Sequence, residues 1–138
     1  MTATQIILYA VLALVVVVYL RRFLIARSIK HYEPSEASEL SSNGGSAVLL
    51  DVRTDSERRA QHIKGSVHVP LNELRRRMDE LKKYKNREVI CYCRSGNRSL
   101  TAAAMLRKQG FTAANMRGGL EEWNFRNIGL STDTRKHR

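Results

Sequence analysis

A cysteine at the start of a short polar loop offers the clearest chemistry in this sequence. Residues 93–99 read Cys-Arg-Ser-Gly-Asn-Arg-Ser and lie between a run that favours a β-strand and a run that favours a helix. Where a strand leads into a helix, backbone amides and the positive end of the helix dipole converge on a bound anion. Gly96 lets the loop curl without a steric penalty, and Arg94 and Arg98 add positive charge. We therefore expect a readily ionised Cys93 thiol that acts as a nucleophile on an anionic substrate.

Charge and composition narrow the classes of partner and cofactor. The chain has 138 residues, enough for one domain, and carries 24 Lys and Arg against 13 Asp and Glu. The net charge of +11 suits an anionic partner, but few aromatic residues lie among the basic ones. Without such a base-stacking surface we expect no nucleic acid as a partner. The sequence contains no metal, nucleotide or flavin motif, so we expect no cofactor.

The second cysteine, Cys91, lies two positions before Cys93 in the predicted strand. This spacing is too short for a disulfide that staples the fold, and no neighbouring His and Cys complete a zinc site. We interpret Cys91 as an inert thiol of the core. The alternative is a resolving thiol that forms a strained disulfide with Cys93.

The elements around the loop alternate between strands and helices. Short apolar runs predict strands over 47–52, 88–92 and 112–116, with a brief extended piece at 67–70. Apolar spacing and stop signals predict helices over 34–40, 54–61, 71–81, 99–109 and 120–127. The alternation predicts an α/β fold with a small, mostly parallel central sheet flanked by helices.

The N-terminus has the composition of a membrane anchor. Every residue from Ile6 to Leu20 is apolar or an aromatic of the interfacial type, and the preceding residues 3–5 carry no charge. A bilayer core needs roughly 17 to 25 helical residues, which this stretch reaches. Basic residues follow the apolar run, at Arg21, Arg22, Arg27 and Lys30, and none precedes it. The positive-inside rule then places the N-terminus outside and the remainder in the cytoplasm, as in a single-pass protein of the cell (inner) membrane.

Four segments follow from these patterns. Residues 1–26 are predicted as the transmembrane helix with its basic flank, residues 27–33 as a linker, residues 34–130 as the globular domain and residues 131–138 as a disordered basic tail. A cleaved signal peptide is disfavoured because the positive charge lies after the apolar run and no small-residue cleavage site follows it.

The loop resembles the active-site loop of rhodanese-family sulfurtransferases. Other stretches match that family in the same order, and they are Asp51-Val52-Arg53, Glu57, residues 62–66 with Pro70, Gly110-Phe111, and Gly118-Gly119-Leu120 with Trp123. The match runs over roughly residues 34 to 127 and implies a single-domain, rhodanese-like fold. The sequence departs from the family at Arg58, where an aromatic residue is common, and at Gln61, where a glycine is common.

The resemblance implies a two-step transfer of sulfane sulfur. The catalytic Cys93 takes the outer sulfur of thiosulfate or another small anionic persulfide donor, and the resulting persulfide yields it to a thiol, a protein acceptor or, in vitro, cyanide. The residues implied in substrate binding are Arg94, Ser95, Gly96, Asn97, Arg98 and Ser99. The residues implied as supports of the loop are Asp51, Arg53, Glu57 and His62.

Two other functions remain open at the level of sequence. The domain could be a membrane-tethered binding module for a protein partner, although the complete loop argues against that. It could also be a small cysteine phosphatase or arsenate reductase, but those enzymes resemble Cys-x5-Arg, and only four residues separate Cys93 from Arg98. The physiological donor and acceptor, the reason for tethering and the oligomeric state are not indicated by the sequence.

Overall fold

The computed structural model describes residues 1–42 and 44–126. Its helices are α1 (Ala3–Ser28), α2 (Pro34–Ser41), α3 (Asp55–Ala60), α4 (Leu71–Leu74), α5 (Asn97–Lys108) and α6 (Gly119–Phe125), with a 3₁₀ helix at Met78–Tyr84. Its strands are β1 (Lys30–Tyr32), β2 (Ala47–Asp51), β3 (Val67–His68), β4 (Glu88–Tyr92) and β5 (Ala113–Met116). The predicted tail 131–138 and the predicted end of the last helix at Asn127 lie outside the described residues.

The five strands form one sheet in the order β1-β5-β4-β2-β3, and every pairing between them is parallel. This confirms the predicted α/β fold with a small central sheet. All five residues of β2 are buried, which explains why its first four residues form a continuous apolar run and do not alternate. Because the strands are parallel, their carboxyl ends share one edge of the sheet, and β4 at the centre delivers Cys93 there.

Helices cover both faces of the sheet. On one face α5, α4 and the 3₁₀ helix enclose a cluster around Leu50, Leu74 and Leu106. On the other face α2 and α6 enclose a second cluster that includes Tyr92 and Trp123. Ala102 and Ala103 of α5 are fully buried, and their small side chains let this helix approach the sheet closely.

Helix α1 leads almost directly into strand β1 of the domain. The structure therefore corrects the prediction that residues 27–33 form a linker. Residues 30–32 of that segment form strand β1, which pairs in register with β5. Ile29 is buried in the core and Ile25 packs against it, so the end of α1 is docked on the domain. The sequence pattern missed β1 because Lys-His-Tyr is too short and too polar to stand out as a strand.

The remainder of α1 is exposed. Its large apolar side chains from Ile6 to Leu24 are exposed, and 23 residues, Ala3–Ile25, are long and apolar enough to cross a membrane. The helix is a candidate anchor by length and composition.

The single helix predicted over 71–81 is also corrected. The chain instead forms α4, a turn at residues 75–77 and the 3₁₀ helix. A 3₁₀ helix has three residues per turn, so the spacing of Met78, Leu81 and Tyr84 places all three on one line facing the core. Arg77 bridges the two pieces because its guanidinium donates to both Glu73 and Glu80.

Candidate active site

Cys93 follows the last residue of β4, and the chain curls round its sulfur before α5 begins. Gly96 has a φ of +116°, a conformation that side chains with a Cβ rarely adopt, and this turn aims its amide back at the cysteine. The Gly96 N–H donates to Cys93 Sγ at 3.1 Å, and Ser99 Oγ lies 3.3 Å from the same sulfur. Cys93 is only 1% exposed, so a reagent reaches its sulfur only through the mouth of the loop.

Hydrogen bonds hold the pKa of the Cys93 thiol below its ordinary value. Burial is the largest single effect and by itself would raise the pKa, but hydrogen bonds to the sulfur together outweigh it. The donors are backbone amides, those of Ser99, Gly96 and Ser95. Among the described residues the fully buried Cys91 has no such donors, and burial raises its pKa. Cys93 therefore ionises more readily than an ordinary cysteine, whereas Cys91 stays neutral.

The back of the loop rests on the first turn of α6. The Leu120 amide donates to the carbonyl of Cys93 at 2.8 Å, and the Glu121 amide donates to the carbonyl of Arg94 at 3.1 Å. These bonds require a close approach, and a Cβ on Gly119 would overlap both carbonyl groups. This contact explains the second glycine of the Gly118-Gly119-Leu120 motif, and a Cβ on the first would overlap the Glu122 side chain.

Arg98 is held by a carboxylate. Its two terminal nitrogens donate to the two carboxylate oxygens of Glu57, each at 2.8 Å. Glu57 in turn accepts from the Thr54 amide as part of a capping box at the start of α3. The hydrogen bond from Arg98 is the main reason that the pKa of Glu57 falls to about 2. The predicted support role of Glu57 thus has a direct geometric basis, since it fixes the arginine at the far end of the loop.

The other loop side chains are more accessible. Arg94 is 71% exposed, and its Nε donates to Glu121 at 3.0 Å. Ser95 and Asn97 are exposed at the loop mouth. The sequence suggested that the charges of both arginines favour the thiolate, whereas the hydrogen bonds that favour it come from the amides of the loop.

Asp51 and Arg53 form a buried ion pair behind the loop. The Asp51 carboxylate accepts from the Arg53 amide at 2.9 Å and from its guanidinium at 3.0 and 3.1 Å. Tyr92 donates its hydroxyl to the same carboxylate at 3.0 Å, and burial raises the pKa of Tyr92, which favours the protonated donor. Arg53 also donates to the carbonyl of Glu57, which links the pair to the residue that holds Arg98.

His62 lies on the surface. Its Nδ1 is 3.1 Å from the carbonyl oxygen of Arg58. Within the described residues no hydrogen bond joins His62 to residues 93–99, so the predicted support of the loop is not made by direct bonding.

The two residues that depart from the family pattern, Arg58 and Gln61, both form side-chain hydrogen bonds in this chain. Arg58 donates to the hydroxyl and the carbonyl of Ser66, each at 2.8 Å. Gln61 and Asn124 exchange two amide hydrogen bonds of 2.9 and 3.1 Å, which join the segment after α3 to α6. Both sets of contacts lie outside the cysteine loop, residues 93–99.

Sequence reasoning missed two residues near the sulfur. Asn115 of β5 accepts a hydrogen bond from Ser99 Oγ at 2.6 Å, and its side-chain nitrogen lies 3.2 Å from Nδ1 of His31 in β1. The available signal was a polar residue inside an otherwise apolar strand, Ala-Ala-Asn-Met. Buried amides are hydrogen-bonded in most proteins, so an asparagine there indicates a partner.

A cleft of about 310 Å³ lies beside the loop. Its walls include Arg53, Glu57, Gln61, Arg94 and Glu121. In the described residues no cluster of three or more His, Cys, Asp or Glu side chains is arranged to hold a metal ion.

Comparison with known proteins matches this arrangement to one family. Residues 33–125, which include the sheet from β2 to β5 and the cysteine loop, match the model of the Rhodanese-like domain. This chain belongs to the rhodanese-like domain family.

Several relatives of this rhodanese-like domain are named for sulfur transfer. It is 32% identical over 96 residues to a sulfurtransferase of Allochromatium vinosum, covering 69% of this chain and 88% of that protein. It is 32% identical to the thiosulfate sulfurtransferase PspE of Escherichia coli, covering 53% of this chain and 70% of that protein. With YrkF of Bacillus subtilis, 42% identical over 76 residues, the match spans only 40% of the relative's length. These relatives support sulfur transfer as the general activity of the chain.

Solved structures give the same family. A rhodanese-related protein from Thermoplasma volcanium has a TM-score of 0.64 at 25% identity, covering 70% of this chain and 92% of that one. The thiosulfate sulfurtransferase of Pseudomonas aeruginosa has a TM-score of 0.64 at 27% identity, covering 73% of this chain and 20% of that one. The rhodanese-like domain is therefore found both alone and within longer chains.

Proposed function

We propose that this protein is a sulfurtransferase that carries sulfane sulfur as a persulfide on Cys93, with thiosulfate or another small persulfide as donor. The observation that carries the proposal is the sulfur environment, in which the Gly96 amide donates to Cys93 Sγ at 3.1 Å and favours the thiolate. A thiolate is the nucleophilic form of cysteine, and a lowered pKa supplies it near neutral pH.

The transfer balances in two displacements. The Cys93 thiolate attacks the outer sulfur of thiosulfate, the sulfur–sulfur bond of the donor breaks, and sulfite leaves with the electron pair. The terminal sulfur of the persulfide is then attacked by a thiol, a protein acceptor or cyanide, and Cys93 leaves again as a thiolate. No external oxidant or reductant is consumed.

The loop residues take different parts in this cycle. The amides of residues 94–99 surround the position that the terminal sulfur would occupy and stabilise its negative charge. Arg98 is fixed by Glu57 and keeps the end of the loop in place. Arg94 is 71% exposed and its acidic partner, Glu121, is 58% exposed, so Arg94 is the loop arginine best able to meet an incoming dianion or a departing sulfite.

The size of the loop favours sulfur over phosphorus. Four residues separate Cys93 from Arg98, and the nucleophile is 1% exposed within the curl. A tetrahedral phosphate or arsenate needs a wider ring of donors, as in a loop with five intervening residues. We therefore rank phosphatase and arsenate-reductase activity below sulfur transfer.

We further propose that α1 tethers the domain to the cell membrane as a single span. The exposed apolar surface of α1 would be costly in water, and lipid would cover it. With Arg21 and Arg22 near the domain end of the span and Arg27 just beyond it, the positive-inside rule favours a cytoplasmic domain and an N-terminus outside.

The test uses the full chain in detergent micelles with thiosulfate, read by intact mass and by thiocyanate formed from cyanide. We expect the wild type and a Cys91→Ala variant to gain one sulfur atom and to produce thiocyanate. A Cys93→Ser variant should do neither. If the wild type gains no sulfur from thiosulfate or from a small-molecule persulfide, the enzymatic proposal fails and a protein-binding role takes its place.

A further inference from the structure

A chain of hydrogen bonds connects the nucleophile to the strand that follows the anchor helix. It begins at Cys93 Sγ, which lies 3.3 Å from Ser99 Oγ. Ser99 Oγ is 2.6 Å from Oδ1 of Asn115, and Nδ2 of Asn115 is 3.2 Å from Nδ1 of His31. Ser99 and Asn115 are buried, and Asn115 and His31 are direct cross-strand neighbours in the pairing of β5 with β1.

The Ser99 hydroxyl has one hydrogen and two neighbours that could accept it. At 2.6 Å the bond to Asn115 is short, and a carbonyl oxygen can only accept, so Ser99 donates there. Its lone pairs then face Cys93. A neutral Cys93 thiol can donate to those lone pairs, but a thiolate receives no hydrogen from a hydroxyl oriented in this way.

His31 fixes which end of the Asn115 amide faces Ser99. The Asn115 Nδ2 group donates to His31 Nδ1, which accepts when the ring carries its hydrogen on Nε2. With the nitrogen held towards β1, the oxygen must face Ser99. If the amide turned over, Nδ2 would donate to Ser99 Oγ, and the Ser99 hydrogen would be free to point at the sulfur.

We propose that His31 and Asn115 are positioning residues that direct the Ser99 hydrogen away from Cys93 and so limit the stability of its thiolate. The proposal rests on the proposed function, in which the thiolate is the attacking group. A limit is useful in that role because the nucleophilicity of a thiolate falls as the pKa of its thiol falls. The amides of the loop keep the thiol ionisable, and the His31 chain keeps the resulting sulfur reactive.

The test measures the rate of Cys93 alkylation by iodoacetamide against pH, in the full chain in detergent micelles. A His31→Leu variant removes the acceptor for Asn115 and frees the amide to turn. We expect the pKa of the Cys93 thiol to fall in this variant, because the thiolate gains one hydrogen bond. At pH values below the wild-type pKa, alkylation should then be about threefold to tenfold faster than in the wild type. His31→Asn places an amide oxygen near the position of Nδ1 and should restore the wild-type profile.

A Ser99→Ala background separates positioning from general damage to the fold. In that background His31→Leu should leave the alkylation profile unchanged, because the hydrogen that it redirects is gone. An unchanged profile for His31→Leu in the wild-type background, or an equal shift in both backgrounds, would overturn the proposal. Thermal unfolding of each variant shows whether the fold is intact.

The alkylation measurement can succeed or fail independently of the test for sulfur transfer. Alkylation of Cys93 needs no sulfur donor, so the profiles report on the hydrogen-bond chain whether or not the protein accepts sulfur from thiosulfate. A wild type that fails to form a persulfide would remove the enzymatic role and leave the measured effect of His31 on the thiol standing.

Discussion

The Arg98 guanidinium and the Glu57 carboxylate form a two-pronged ion pair, with both nitrogen–oxygen distances at 2.8 Å. This pair joins the start of α3 to the end of the cysteine loop across 41 positions of sequence. Its strength sets how firmly the loop is closed and gives the fold a specific dependence on pH.

A Glu57→Gln variant should lose stability only where Glu57 is ionised in the wild type. The folded pKa of Glu57 is about 2, below its ordinary value of 4.5, so the stabilisation is fully present above pH 4.5 and disappears as the pH falls towards 2. Glutamine keeps an oxygen for the Thr54 amide, so the variant removes the charge and one of the two hydrogen bonds from Arg98. We expect the difference in Tm between the two proteins to be constant above about pH 5 and to shrink below it. A difference of the same size at pH 2.5 and pH 7 would contradict this account.

The two cysteines should differ sharply in reactivity. Hydrogen bonds lower the pKa of Cys93, whereas burial raises the pKa of Cys91 and closes it off from solvent. Mild alkylation of the native protein at neutral pH should add one label, at Cys93, and a second label should appear only after denaturation. A Cys93→Ser variant should stay unlabelled while native. Rapid labelling of that variant would show that Cys91 is accessible.

Gly119→Ala should distort the loop from behind. A methyl group at this position overlaps the carbonyls of Cys93 and Arg94, and the φ of +59° adds the cost of a left-handed conformation. We expect sulfur uptake to fall by about tenfold or more, because small displacements of reacting groups are costly. Gly65→Ala is the matched control, since Gly65 has a φ of +83° with open space around it. Gly65→Ala should cost about 1 kcal/mol of stability and leave uptake intact.

Asp51→Asn should destabilise the domain more than an ordinary ion-pair deletion. Asp51 is fully buried and Arg53 is 4% exposed, so the substitution leaves a buried guanidinium without its countercharge. We expect a loss of about 3 kcal/mol in the free energy of unfolding. The Asp79 and Lys82 pair is exposed to solvent, and Asp79→Asn should change stability by less than about 0.5 kcal/mol. Equal losses in the free energy of unfolding, measured by denaturant titration of the two variants, would show that burial does not strengthen the Asp51–Arg53 pair.

The proposed span can be tested by removing residues 2–24. This deletion keeps Ile25 and Ile29, which pack on the core, and keeps β1. The full chain should stay in the membrane fraction after alkaline carbonate washing, and the deleted form should be soluble and still take up sulfur. A variant with the order of residues 6–20 scrambled should remain in the membrane, because composition and length are unchanged. Release of the full chain by carbonate would count against a span.

Much of the fold was predictable because the patterns are strong and local. The apolar runs at β2 and β4 and the stop signals after α5 predict elements that agree with the structure to within a few residues. The cysteine loop could be placed because a strand, a glycine and a helix start occur in immediate succession. The parallel direction of the strands then followed from the alternation of strands and helices.

Other features depend on contacts that a single sequence does not show. Strand β1 exists because its three residues find β5 beside them, about 80 positions further along the chain. The acidic partners of Arg94 and Arg98 come from α6 and α3. The loop sequence alone therefore suggests two unpaired positive charges, whereas the fold pairs both. His31 gave no signal, because its role is visible only once Asn115 lies opposite it.

The direct passage from α1 into β1 determines which way the reactive sulfur is presented. Lys30 is level with Ala114 in β5, which is level with Ile90 in β4, and Cys93 lies three residues further in the same direction, about 10 Å along the strand. The mouth of the loop thus opens at the edge of the sheet opposite the one that α1 enters. If α1 lies in lipid as proposed, its direct passage into the sheet holds the mouth of the loop away from the bilayer. In that arrangement sulfur donors and acceptors would reach Cys93 from the aqueous side.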